Sequence, residues 1–193
     1  MFTGIITHLG TILRKTSTGL EISAPRGFLA RVTRGASIAV DGTCLTVERR
    51  RAHSFTVAVI PETFRRTQLG SVLAGSRVNL ERPMTAQSFL SGHLVQGHVD
   101  GTARLRQVTR TGNSWVLTFA LAPGLARYVV GKGSIAVSGI SLTVMSVTRR
   151  EFTVGIIPHT WEHTTLHTLQ VGDRVNIETD IYAKYVAKLC RKI

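Results

Sequence analysis

Acidic residues are scarce in this chain. Eleven Asp and Glu stand against 24 Lys and Arg in 193 residues, a formal net charge of +13 at pH 7. Such a balance raises the prospect of a polyanionic partner. Aromatic residues are also few, at 6%. The basic residues are scattered from Arg14 to Lys192. Their densest group, Arg49-Arg50-Arg51, is echoed by Arg149-Arg150, and both follow β-rich segments where a hairpin turn is expected. Without aromatic neighbours these stretches read as solvated turns, so specific nucleic-acid binding is not expected. Cysteine is limited to Cys44 and Cys190, too few for a disulfide framework or a zinc site. No apolar run approaches the roughly 18 residues needed to cross a bilayer. The first eight residues lack a basic stretch followed by a long apolar one, so no signal peptide is expected. A reduced, cytoplasmic enzyme with no membrane partner is the simplest class.

What the chain does have is a repeat. Residues 37–47 read Ser-Ile-Ala-Val-Asp-Gly-Thr-Cys-Leu-Thr-Val, and residues 134–144 read Ser-Ile-Ala-Val-Ser-Gly-Ile-Ser-Leu-Thr-Val. Without gaps, about 21 of 45 positions from Ser37 to Glu81 are identical at this 97-residue shift, too many for chance convergence of a β pattern. Extended to the N-terminus, the same shift sets Gly4 against Gly101 and Met1 against His98. Two homologous domains are therefore expected, 1–96 and 97–193, with no flexible linker. The mismatches inside the repeat are chemical: Cys44 faces Ser141, and Asp41 faces Ser138.

Each copy reads as strand after strand. Ile38, Val40, Leu45 and Val47 are apolar or β-branched types interrupted by a turn or bulge at Gly42. Residues 55–60 form another strand, stopped by Pro61, which cannot donate to a ladder; Val78 to Leu80 form a closing strand. Short helical turns are expected after Pro25, Pro61, Pro123 and Pro158. The 43% hydrophobic content and 18 glycines suit an all-β protein with a small closed barrel in each half. Outside the repeat, Ile181, Tyr185, Val186, Leu189 and Cys190 recur at helical spacing, opposite Lys184, Lys188, Arg191 and Lys192. This predicts an amphipathic helix over about 181–192 whose apolar face meets other subunits.

Several residues could carry chemistry, each with a plainer alternative. Cys44 is a small buried hydrophobe or a nucleophile. Ser141 is a strand-edge hydroxyl or a weak acid–base group. His93 and His98, five apart among glycines, lack the further ligands of a metal site. By position alone Asp180 reads as a helix N-cap, and the Thr63–Thr67 and Thr160–Thr164 pairs as helix caps.

Met1-Phe2-Thr3-Gly4-Ile5-Ile6, the midpoint run from Gly92 to Asp100 (Gly-His-Leu-Val-Gln-Gly-His-Val-Asp) and the paired Cys-Leu-Thr and Ser-Leu-Thr triplets together resemble riboflavin synthases, a family of two-barrel lumazine-binding proteins. The resemblance covers essentially the whole chain. It implies two six-stranded Greek-key closed barrels in tandem, a C-terminal helix that holds a homotrimer, and active sites between the N-terminal barrel of one subunit and the C-terminal barrel of its neighbour. The implied reaction converts two molecules of 6,7-dimethyl-8-ribityllumazine into riboflavin and 5-amino-6-ribitylaminouracil by four-carbon transfer, with no metal or redox cofactor.

The resemblance also implies roles. Cys44 would be nucleophile or proton relay, Ser141 a positioning hydroxyl that does weak acid–base work, His98 an acid or base, and Asp180 a catalytic carboxylate; His93 would support the fold. Ligand contacts in the first barrel would be Gly4, Ile5 and Ile6, then Cys44, Leu45 and Thr46, then Ala58, Val59, Ile60, Pro61, Glu62 and Thr63. In the second they would be Gly97, His98 and Val99, Lys132, then Ser141, Leu142 and Thr143, then Gly155, Ile156, Ile157, Pro158, His159 and Thr160. Strand backbone and threonine hydroxyls would match the edge of a pteridine, with isoleucine and valine on its faces. Ser138 departs from the acidic or amide residue that the family pattern puts there. Two rivals are a non-catalytic relative that binds lumazine or flavin as an antenna or storage protein, and a basic nucleic-acid-binding barrel. Retention of both triplets opposes the first, and the lack of a stacking platform the second.

Overall fold

The computed structural model describes residues 1–190. In the first half, β1 (His8–Lys15) and β2 (Gly19–Ser23) are followed by α1 (Arg26–Leu29), β3 (Ser37–Val40), β4 (Thr43–Arg50), β5 (Ser54–Ala58), α2 (Pro61–Arg66) and β6 (Arg77–Glu81). In the second half come β7 (Gly101–Thr111), β8 (Ser114–Ala120), β9 (Ser134–Val137), β10 (Ile140–Val147), β11 (Glu151–Ile156), α3 (Pro158–His163), β12 (Arg174–Thr179) and α4 (Ile181–Leu189). The expected turn after Pro123 is the 3-10 segment Ala126–Tyr128. Each half closes into a six-stranded antiparallel barrel, ordered β1-β2-β5-β4-β3-β6 in the first and its equivalent in the second. The expected all-β architecture is borne out.

Alternation along the strands builds both cores. On β4, Thr43, Leu45 and Val47 point inward and are buried, while Cys44 and Thr46 point out. The same alternation on β10 buries Leu142 and Val144 and turns Ser141 and Thr143 outward. Phe28 and Phe55 fill the first barrel, Phe119 and Phe152 the second. Matched β-bulges on β1, β4, β7 and β10 bend the sheets toward closure.

The ladder registers correct one expectation. His8 pairs with Leu80 on β6, and Gly101 pairs with Ile177, the repeat partner of Leu80, on β12. Gly101 is thus the counterpart of His8, and Gly4 is the counterpart of Gly97. The reason is the β7–β8 hairpin, in which eight residues separate the paired Val108 and Leu117, against four between Lys15 and Leu20. Those four extra residues change the shift from 93 before the hairpin to 97 after it. Arg149-Arg150 is likewise no counterpart of Arg49-Arg50-Arg51, whose partners are Ser146, Val147 and Thr148.

The barrels meet at the turns that open the repeat. Gly42 and Gly139 sit at φ +74° and +81°, and a Cβ on Gly42 would come within 2.6 Å of the Gly139 nitrogen. Two asparagines cross this contact. Asn79 donates to the Ser138 carbonyl at 2.9 Å and accepts from the Thr165 amide at 2.9 Å. Asn176 donates to the Asp41 carbonyl at 2.8 Å and accepts from the Gln68 amide at 2.7 Å. The Asp41/Ser138 mismatch now has a structural account. The Asp41 carboxyl accepts from the Asn79 amide at 2.8 Å and from Gln68 Nε2 at 2.6 Å. The repeat partner of Gln68 is Thr165, so a long acid–amide pair on one side is answered by two short hydroxyl residues on the other. Ser138 Oγ accepts from the Asn176 amide in the place of the carboxyl.

The segments that lead into β1 and β7 are tied by a matched clamp. Glu81 accepts from the amides of Thr3 and Gly4, and Glu178 from those of Gln96 and Gly97. Phe2 bridges to Val95, joining the two lead-in segments between the barrels. At the C-terminus α4 is capped by Asp180, which accepts from the Tyr182 amide at 3.0 Å, and is anchored by a 2.7 Å Lys184–Asp100 ion pair. Tyr182, Tyr185, Val186 and Leu189 are each more than half exposed within one chain. Arg191 and Lys192 of the expected helix lie outside the described residues.

Burial of Asp41 pushes its carboxyl from 3.8 up to about 7, against the pull of the Asn79 and Gln68 hydrogen bonds. A raised folded-state pKa means that its contribution to stability is complete below pH 4 and is lost as pH rises toward 7, on the order of 4 kcal/mol over that window. Glu81 and Glu178 shift in the same direction. Asp41→Asn keeps one acceptor for the Asn79 amide and can pair with a flipped Gln68. Urea denaturation from pH 4 to pH 8 is expected to show a shallower loss of stability in the variant than in the wild type; parallel curves would contradict a protonated Asp41.

Candidate functional site

Each barrel presents its distinctive polar side chain at the same register. Cys44 lies opposite Ala39 on β3, and Ser141 opposite Ala136 on β9. Each is edged by the lead-in segment of the other barrel. The Cys44 amide donates to the Gly97 carbonyl at 2.8 Å, and the Ser141 amide to the Gly4 carbonyl at 2.7 Å. Gly97 at φ +80° would place a Cβ 2.6 Å from Cys44 Cβ, and Gly4 at φ +76° one 2.6 Å from Ser141 Cβ. Only glycine satisfies both the backbone conformation and the close approach. Two half-sites result, each made from both halves of the chain.

Their chemistry differs. In the first, Cys44 is half-buried against Phe2, Ala39, Val95 and Ala136, and the exposed His98 follows Gly97 directly. In the second, His93 Nδ1 lies 2.7 Å from Ser141 Oγ. His93 is only 9% exposed, so burial pushes its imidazole below 6.5, while the negative charge of Asp180 pulls it back up. The ring is therefore neutral at neutral pH and can accept the Ser141 proton, with a carboxylate near enough to stabilise the resulting imidazolium. The imidazole gives Ser141 a proton partner suited to the positioning and weak acid–base work expected of it. His93, expected to support the fold, is buried as that role requires and in addition bonds Ser141. The signal was the repeated Gly-His dipeptide, Gly92-His93 and Gly97-His98, in one run: a Cβ on Gly92 would meet Ser141 Oγ at 3.0 Å, while Gly97 abuts Cys44.

The remaining expected contacts divide by where their side chains point. Leu45, Val59, Leu142 and Ile156 bury theirs in the barrel cores, so only their backbone can face a ligand. Thr46 and Thr143 stand on the outer face with Cys44 and Ser141. Ile60 and Ile157 are 64% and 60% exposed, just ahead of the prolines that start α2 and α3. Ile5 is 42% exposed, and Ile6 packs against the second core. Glu62 is exposed and already paired with Arg65 and Arg66. Thr67 and Thr164 cap the following 3-10 segments and bond the carbonyls of Thr63 and Thr160, so the capping alternative holds for these two. Lys132 sits at φ +67° where the first barrel has Gly35. A lysine held in a left-handed conformation that a glycine would adopt freely is the kind of strain found at functional positions. Among the described residues, no group of three or more His, Cys, Asp or Glu side chains could hold a metal ion.

A family model for the lumazine binding domain matches residues 3–83 and again 96–180, in the same register as the two barrels. Riboflavin synthases are among the curated relatives. That of Actinobacillus pleuropneumoniae is 42% identical over 196 residues, covering 100% of this chain and 91% of that protein. That of Mycobacterium bovis is 43% identical over 204 residues, covering 99% and 98%. Among solved structures, LumP complexed with riboflavin superposes with a TM-score of 0.86 at 23% identity, over 93% of this chain and 99% of that one. LumP complexed with 6,7-dimethyl-8-(1'-D-ribityl) lumazine gives 0.83 at 22% identity, with the same coverage. At that identity the likeness is one of fold.

The His93 ring should titrate below 6.5 when followed by proton NMR of its imidazole. Asp180→Asn removes the opposing charge and is expected to lower that midpoint further. A midpoint unmoved by the substitution would separate Asp180 from the Ser141–His93 pair.

Proposed function

The chain belongs to the lumazine binding domain family, and we propose that it is a riboflavin synthase, which converts two molecules of 6,7-dimethyl-8-ribityllumazine into riboflavin and 5-amino-6-ribitylaminouracil. The observation that carries this reading is the pairing of unlike half-sites at one register, Cys44 on the first barrel and the His93-bound Ser141 on the second. Two identical substrates must play unlike parts, one giving up a four-carbon unit and the other receiving it. Two similar barrels with different acid–base groups suit that demand, whereas a carrier of one ligand needs only one intact half-site. The atoms and electrons balance between the two lumazines, so the reaction calls for no external oxidant or reductant.

In this reading Ser141 and His93 exchange protons with one substrate, and Cys44 with His98 serves the other as nucleophile or relay. Asp180 supports His93 electrostatically, and Lys132 and the outward threonines hold the ligand. The lumazine-binding units span 1–96 and 97–193. The exposed apolar side chains of α4 support a homotrimer in which the N-terminal barrel of one subunit completes its site against the C-terminal barrel of the next, and the cytoplasm is the compartment that fits two free thiols.

Incubating the purified protein with 6,7-dimethyl-8-ribityllumazine and following riboflavin absorbance should show product, with kcat lowered on the order of a hundredfold by Ser141→Ala. Tight lumazine binding without turnover would instead favour a carrier. A chain ending at Asp180 is expected to run as a monomer in light scattering and to lose activity with the trimer.

A further inference from the structure

The arginine-rich run at the end of β4 lies away from both half-sites. A surface cleft of about 1060 Å³ on the outer face of the first barrel is lined by Arg14, Arg34, Arg49, Arg50 and Arg51. Three of these sit at the far end of β4 and its turn. Arg50 is six residues beyond Cys44, roughly 20 Å at the rise of a strand. Glu21 lies within the cleft and is held by Arg51 at 3.4 Å, Arg14 at 4.0 Å and Ser54 at 3.1 Å. Arg34, Arg49 and Arg50 make no ion pair and no side-chain hydrogen bond among the described residues, nor does Glu48 beside them. Five guanidinium groups against two carboxylates leave the cleft strongly positive. Within a Debye length such cations repel one another in the absence of an anion.

The second barrel serves as an internal control. At the positions matched by ladder and register, Arg14 is replaced by Gln107, Arg34 by Gly131, Arg49 by Ser146, Arg50 by Val147 and Arg51 by Thr148. The second barrel therefore closes without any of these arginines. Thr16 and Thr56 join the lining, and Leu20 and Val57, whose side chains fill the barrel core, lie beneath it. Arginine forks recognise phosphate oxygens in paired hydrogen bonds, and several forks in one cleft match several phosphates. The volume is that of a small-molecule site. No aromatic side chain lines it, so it offers no stacking surface for the bases of a nucleic acid.

We propose that this cleft is a binding site for a small molecule carrying a run of adjacent phosphate groups, separate from the lumazine half-sites. The inference stands on the arginine cluster and its absence from the second barrel, and it does not depend on the proposed activity.

Isothermal titration of the full-length protein with sodium tripolyphosphate in 150 mM salt is expected to give saturable binding of one ligand per chain. Arg14→Gln, Arg49→Ser and Arg51→Thr together transplant the second barrel's residues and should weaken it at least tenfold while the protein stays folded by circular dichroism. The single change Arg49→Ser should weaken it less, which keeps the test available if the triple variant misfolds. A charge-matched control, Arg104→Gln with Arg127→Gln and Arg150→Gln, should stay within twofold of the wild type. Titration with ATP distinguishes the sources: equal affinity identifies a pure polyphosphate site, and tighter binding a nucleotide site, either of which upholds the proposal. Absence of saturation, or equal weakening in the cleft and control variants, would overturn it. Preferential binding of a 20-nucleotide RNA that survives the triple variant would do the same.

Discussion

Everything in this molecule hangs on the contact between two glycine turns. Gly42 and Gly139 touch backbone to backbone, and Asn79 and Asn176 each donate across the contact to the opposite turn. Both asparagines are almost completely buried, so leaving either amide unpaired would cost on the order of 1–3 kcal/mol. The exchange pairs them reciprocally. It also fixes where strands β4 and β10 begin, and Cys44 and Ser141 stand two residues beyond those turns.

That placement explains how a duplicated fold acquires two different half-sites. Backbone geometry at the junction is nearly symmetric: matched positive-φ glycines, matched carboxylate clamps and matched bonds from the Cys44 and Ser141 amides to the lead-in segments. Side chains break the symmetry without disturbing it. Asp41 with Gln68 and Ser138 with Thr165 occupy matched ground with different chemistry. One barrel presents a thiol beside an exposed histidine, the other a hydroxyl bound to a buried one. The outer faces diverge further, with an arginine cluster on the first barrel and neutral residues at the matched positions of the second. Core positions, by contrast, keep their types, because an inward side chain must fill a closed barrel.

Much of this was legible in the sequence. Identity at a constant shift is strongest where both copies bury the same face, from Ser37 to Val47 and from Phe55 to Val57, and the alternation there indicated strands directly. Cys44 and Ser141 stood out because the surrounding positions agree. The N-terminal register did not follow, since a hairpin that is four residues longer in one copy leaves no trace in a gap-free comparison. Leu45, Val59, Leu142 and Ile156 lie inside stretches that do flank the half-sites, but which way a strand side chain points depends on the bulges and on closure.

His93 shows the same boundary from the other side. Its bond to Ser141 joins residues 48 apart; the repeated Gly-His dipeptide marks the histidine but does not identify its partner. The duplication, the strand pattern and the chemical mismatches are local or periodic properties, so the chain carried them without its fold. Asp41 found Asn79 and Gln68 when its own barrel closed, and the partners of Gly97 and His93 were decided only when the two barrels met. Those contacts run between strands and lead-in segments far apart in the chain, and barrel closure and the junction alone bring them within hydrogen-bonding distance.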